Sequence, residues 1–289
     1  MPEGLRPGAT ELRITSDDGV ELAGEQAGAG PPVVLLHGLT ATRRYVVMGS
    51  RLLERSGRRA IAYDARGHGR STPAPVAGAY DYDRLARDLL AVMDSLELER
   101  ATLAGASMGA HTIVRFALEH PERVAAMGLI TPAFDPDTPM TGSSEEFAAW
   151  DALARGLREG GVEGFMAAYD FAAVPGAWRA TVEKVVQQRL SAHAHPGAVA
   201  DALAVVPRSR PFERFEDLSA IRAPTVVIAS LDEADPGHPL AVGERYARTI
   251  PGASLLVEER GQSPLAWQGG RVSRALLAVA ARASGITPA

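Results

Sequence analysis

The stretch TLAGASMGAHTIV, Thr102 to Val114, decides the fold. It opens as a short apolar run, passes through Gly105-Ala106-Ser107-Met108-Gly109, and continues as a pattern with apolar residues on one helical face. A serine at a tight strand-to-helix turn needs small neighbours two residues either side, because the turn closes only where no side chain intervenes. Such a turn strains the backbone at its centre and lifts the hydroxyl above the sheet. The helix that begins there aims its first N–H groups at the same point, which favours negative charge developing nearby. Ser107 is therefore the candidate nucleophile.

Working outward, short aliphatic runs alternate with longer helical patterns. PPVVLLHG (31–38), RRAIAYD (58–64), RATLAGA (100–106), VAAMGLI (124–130), PTVVIAS (224–230) and ASLLVEE (253–259) are apolar and bounded by Gly, Pro or charge. Runs of this kind suit a parallel sheet covered on both faces. TELRITS and VELAGEQ flank a DDG turn signal and read as an edge hairpin. Tyr82, Leu85, Ala86, Leu89, Leu90 and Met93 make one apolar stripe, predicting an amphipathic helix with a structural role. From Phe134 to about Phe215 the strand pattern stops and helical segments follow one another, an inserted helical lid over residues 134–215 between core segments 1–133 and 216–289. Aromatic residues concentrate there (Phe134, Phe147, Trp150, Phe165, Tyr169, Phe171, Trp178, Phe212, Phe215), as the roof of an apolar pocket or the filling of a thin helical layer would require.

Composition narrows the function classes. The chain has 289 residues, a net charge of -5 and no cysteine. The scattered basic residues argue against nucleic acid or an anionic membrane surface as partner. The missing cysteine excludes disulfides, a thiol nucleophile and Cys-ligated zinc. No apolar run approaches a bilayer span and the N-terminus lacks a signal-peptide pattern, so a cytoplasmic protein is expected. No cofactor or metal is implied; the expected partner is a small-molecule substrate or ligand, and the oligomeric state is left open.

With HGLTA after the third strand, YDARGHGRS after the fourth, GASMG after the fifth and DEADPGHP after the seventh, the chain resembles the α/β-hydrolase superfamily, in particular its small lid-bearing serine hydrolases. The resemblance implies a mostly parallel eight-stranded sheet with helices on both faces. It implies an oxyanion hole from the backbone N–H groups of Leu39 and Met108, and loop-ordering roles for His37, Asp64, Arg66 and His68. It places the acid after the seventh strand, where Asp235 with Pro239 fits best, Asp232 next and Asp135 at the end of the sixth strand third. A serine at the elbow disfavours the epoxide-hydrolase and haloalkane-dehalogenase chemistries that this group reaches through a carboxylate.

The resemblance also implies a histidine after the eighth strand, where this chain reads RGQSPLAW and puts Gln262. Glutamine can hold a hydroxyl but has no proton to exchange near neutral pH. By position His238, three residues after Asp235, is the best surrogate. His111 lies one turn beyond Ser107 and reads as packed inside, His120 ends that helix, and His193 and His195 on the lid read as solvated. Water activation by Asp235, with Gln262 orienting the water, is another route. Two expectations follow: a hydrolase of an ester, thioester or lactone with an atypical or impaired base, or a catalytically silent binding protein for a small apolar ligand.

Overall fold

The computed structural model describes residues 8–137, 144–231 and 233–283. Eight strands form one sheet: β1 (Thr10–Thr15), β2 (Glu21–Ala27), β3 (Pro32–Leu36), β4 (Arg59–Tyr63), β5 (Ala101–Ala106), β6 (Val124–Ile130), β7 (Thr225–Ala229) and β8 (Ser254–Val257). The helices are α1 (Leu52–Arg55), α2 (Tyr82–Ser95), α3 (Met108–Glu119), α4 (Ser144–Ala168), α5 (Gly176–Leu190), α6 (Pro196–Val205), α7 (Leu240–Thr249) and α8 (Gly269–Ala283). The strand order is β1-β2-β4-β3-β5-β6-β7-β8; β1 and β2 pair antiparallel, as do β2 and β4, and every other pairing is parallel. The hairpin read from the sequence thus forms the edge.

The pleat divides each apolar run between two layers. Val34, Leu36, Ile61, Leu103 and Leu129 face a core completed by α2, α3 and α7, whereas Val33, Leu35, Ala104, Ile130 and Ile228 face Leu53 of α1 and Val272, Leu276 and Val279 of α8. Runs buried on both faces therefore carry no polar alternation. Helix α2 starts where the Asp81 side chain accepts from the Arg84 N–H, and it buries Leu85, Ala86, Leu89, Val92 and Met93.

Between β6 and β7 stand α4, α5 and α6. They share an apolar centre of their own, with Ala154, Leu157, Phe165, Val182, Val186, Leu190, Val199 and Leu203 buried. Gly156 of α4 lies so close to Gly164 that a Cβ on either would meet the other's backbone, and Gly161 between them takes φ 60° at the kink. Those glycines let α4 fold against itself. Phe212 and Phe215 belong elsewhere: with Phe134 and Tyr246 they form an edge-to-face cluster in the core under the sheet, so the aromatic enrichment has two causes and not one roof.

Candidate active site

Ser107 follows β5 directly and caps α3, with φ 49° and ψ -112°. Its N–H donates to the Ile130 carbonyl (2.9 Å) and its carbonyl accepts from the His111 N–H (3.0 Å), so strand and helix hold the strained residue from both sides. The flanking glycines are required by contact. A Cβ on Gly105 would lie 2.4 Å from the Gly109 carbonyl carbon, and one on Gly109 would lie 2.4 Å from the Leu36 oxygen. Gly38 closes the other flank: a Cβ there would be 3.5 Å from the Ser107 Cβ, which brings the loop after β3 against the elbow.

A cavity of about 350 Å³ opens over this point. Its wall includes Ser107, Leu39, Met108, Asp235 and His238, together with Phe134, Trp150, Phe165 and Tyr169 from the aromatic-rich segment. Asp235 and His238 lie on the loop between β7 and α7, where His238 Nδ1 stands 2.7 Å from Asp235 Oδ1. Burial pushes the Asp235 carboxyl up, but the charge and hydrogen bond of His238 and the field of Arg189 outweigh it and hold the group below its ordinary range. An ionised Asp235 accepts from Nδ1–H and fixes the tautomer whose lone pair is on Nε2. His238 and His111, one turn into α3, line this cavity together with Ser107.

The other residues singled out from the sequence are placed as follows. Gln262 is exposed on the loop after β8, its N–H donates to the Glu259 carbonyl (3.1 Å), and it is not among the described residues that line the cavity. Asp135 is tied to Arg245 at 2.8 and 2.9 Å. Asp232 lies outside the described residues. His111 is buried; its Nε2 accepts from the Ala133 and Phe134 N–H groups and its Nδ1 pairs with the Tyr82 hydroxyl at 3.0 Å, so no lone pair is left for base work. His120 caps the end of α3. His193 is not solvated as read from the sequence: only 8% exposed, it accepts on Nδ1 from the Gly69 N–H (2.9 Å) and donates from Nε2 to the Thr40 carbonyl (3.2 Å). The sequence could not anticipate that, because both partners lie on loops more than a hundred residues away. His195 precedes α6 and is half-buried.

His37, His68 and His193 form a row of contacting rings, tilted and then edge-to-face, with centroids 5.2 and 5.5 Å apart, beside the loop that carries Leu39. His37 Nδ1 donates to the Gly38 carbonyl (2.8 Å), its Nε2 accepts from the Ala65 N–H (2.9 Å), and His68 Nε2 meets the Leu39 carbonyl. Pinning the carbonyls of residues 38 to 40 orients the intervening N–H groups. Burial and neighbouring imidazoles pull His37 and His193 down to about 3, and burial with the field of His238 does the same to His111. The sign is fixed by linkage: between about 6.5 and 3 the unfolded chain binds protons that these rings refuse, so stability is present above 6.5 and lost as pH falls. Urea unfolding is expected to lose up to about 1.4 kcal/mol per pH unit for each such ring between pH 6 and 4. The variant His193→Gln should show a shallower dependence, and an unaltered slope refutes the assignment.

Among the cavity residues that the sequence reading did not single out is the charged Arg189. Arg189 lies three residues after Val186 and seven after Val182, on the buried stripe of α5, and an arginine in that register was the available signal.

An open, mostly parallel eight-stranded sheet with helices on both faces, and a strained serine at the end of a central strand, defines the hydrolase fold. The family model described as alpha/beta hydrolase fold matches residues 31–262, and the chain belongs to that family. Among curated proteins it is similar to a putative carbamate hydrolase RutD of Variovorax paradoxus (31% identical, 71% of this chain and 75% of that one). It is also similar to the non-heme chloroperoxidase CPO-A1 of Kitasatospora aureofaciens (31%, 85% and 89%). Among solved structures, a thermophilic esterase from Thermogutta terrifontis superposes with a TM-score of 0.78 (27% identical, 95% and 99%). Est816, described as an N-acyl homoserine lactone degrading enzyme, does so with 0.69 (26%, 92% and 98%). These relatives support a hydrolytic function in general. Among the described residues no helix is long and apolar enough to cross a membrane.

Proposed function

We propose that this protein is a serine hydrolase of a carboxylic ester, thioester or lactone, acting through an acyl-enzyme on Ser107. His238 is the general base, Asp235 orients it, and the N–H groups of Leu39 and Met108 receive the oxyanion. The helices of residues 134–215 serve as the lid of a cavity whose floor is the 1–133 and 216–289 core. The observation that carries this reading is that Ser107 and the Asp235–His238 pair border one cavity.

In this scheme Ser107 Oγ attacks the substrate carbonyl carbon while its proton passes to His238 Nε2. The tetrahedral oxyanion is held by the two main-chain donors, and collapse expels the alkoxide or thiolate, which takes the proton from Nε2. Water then attacks the acyl carbon with His238 again as base, and the carboxylic acid leaves. Gln262 takes no part: an exposed amide off the cavity wall neither moves a proton nor holds a water at the reacting carbon. The base of the scheme is therefore supplied from the loop after β7.

Treatment with a fluorophosphonate followed by peptide mass spectrometry is expected to find the adduct on Ser107. No adduct above that of the Ser107→Ala variant would overturn the hydrolase reading and leave a pocket that binds without turnover.

A further inference from the structure

Arg189 reaches the cavity from α5 and lines it together with Asp235 and His238, its field acting on Asp235. Among the described residues lining the cavity it is the one guanidinium or ammonium group, and Asp235 is the one carboxylate. Asp235 is engaged by His238 at 2.7 Å. The Arg189 Nε is buried and has no hydrogen-bond partner, and its guanidinium carbon stands 5.2 Å from the centre of the Tyr45 ring. A buried N–H without an acceptor is unfavourable, and stacking over one aromatic ring offsets that only in part. Burial accordingly pulls the Arg189 pKa down, opposed by the fields of Asp235, Tyr45 and Tyr169. A guanidinium on the cavity wall with a buried, unpartnered Nε–H suits an anionic oxygen that the described residues do not supply.

We propose that Arg189 binds a carboxylate carried by the substrate, so that the class hydrolysed is an ester, thioester or lactone bearing a free carboxylate apart from the scissile carbonyl. This rests on the hydrolase reading above. A monoanion fits better than a phosphate dianion, because beside an ionised Asp235 a single guanidinium leaves far less uncompensated negative charge with one added charge than with two. The remaining wall suits the link between the two ends: Trp150, Phe165, Val182 and Val186 offer apolar surface for a short methylene chain.

The test compares mono-4-nitrophenyl adipate with 4-nitrophenyl hexanoate, which differ by the terminal carboxylate. The wild-type protein is expected to favour the adipate ester at least tenfold in kcat/KM. Arg189→Gln should lower that preference at least tenfold, chiefly through KM, and Arg189→Lys should restore part of it. A preference for hexanoate in the wild type, or an equal ratio in Arg189→Gln, overturns the proposal, and the wild-type ratio and Arg189→Lys decide it should the glutamine variant not fold. A second measurement needs no turnover: in the Ser107→Ala protein, calorimetry should show monomethyl adipate binding at least tenfold tighter than dimethyl adipate, a difference that Arg189→Gln removes. Equal binding of the two esters, or inorganic phosphate binding more tightly than monomethyl adipate, overturns the carboxylate assignment. Absent turnover with the calorimetric difference intact would instead refute the hydrolase reading and leave this site standing.

Discussion

Replacing His238 by alanine is expected to lower p-nitrophenyl acetate turnover by at least about a thousandfold, since loss of the base in serine hydrolases costs up to about 10^6 while oxyanion donors preserve a small residue of rate. The expectation follows from one contact and one shared wall: Nδ1 at 2.7 Å from Asp235, and His238 bordering the cavity that Ser107 borders. Asp235→Asn should act in the same direction by presenting an amide that can stabilise the wrong tautomer. The comparison that gives the result its meaning is Gln262, exposed on the loop after β8. Gln262→Ala and Gln262→His should each leave turnover within about threefold. A large gain from Gln262→His, or an unchanged rate in His238→Ala, would return the base to the end of the chain. Rates should be normalised to the fraction of protein labelled by fluorophosphonate.

The largest effect on stability is expected at Arg66. Its side chain is fully buried, with Nε and one terminal nitrogen each 2.7 Å from Asp88, the other terminal nitrogen 2.9 Å from both Asp18 and the Ala79 carbonyl. Burial pushes the Asp88 carboxyl up despite that guanidinium, which shows how poorly the site tolerates a lone anion. Arg66→Ala strands Asp88 with only the Ser16 hydroxyl at 2.6 Å and should cost about 3–5 kcal/mol, read from urea unfolding. Removing both charges, as Arg66→Met with Asp88→Leu, should cost less than the single change. If the double variant is the weaker of the two, Asp88 is not the group left uncompensated. Turnover of whatever remains folded should be little altered, because Arg66 and Asp88 are not among the described residues lining the cavity.

The strands were legible because Val, Leu, Ile and Ala runs cut off by glycine, proline or charge have one stable use in a chain that also carries amphipathic helices. The elbow was legible because contact demands glycine at 105 and 109, and the spacing around Ser107 advertises that demand. Asp235 and His238 were readable as neighbours, three apart on one loop, but nothing local said that they would line the cavity that Ser107 lines. The loop after β8 was least readable. Its course is set by the Glu258 carboxylate, 7% exposed, which accepts from the Leu231 N–H at 2.6 Å and the Leu265 N–H at 3.1 Å. A tether between residues so far apart leaves no periodic trace, and family spacing alone set Gln262 against the active site. Arg189 was hidden for a related reason: an arginine on a helix is ordinary until the helix is known to lie over a cavity.

The connection between α5 and α6 is fastened to the core by His193, which grips Gly69 and Thr40, and by the Ala194 N–H on the Gly69 carbonyl at 2.8 Å. Beside it, Ala198, Ala202 and Val206 bury themselves against Tyr80, Tyr82 and Met108. This connection cannot leave the core without breaking three hydrogen bonds and freeing the Thr40 carbonyl, one residue beyond Leu39. With Ala154, Leu157 and Phe165 of α4 packed on Val199, Ala200 and Leu203 of α6, that anchorage extends through the helical layer to the wall above Ser107.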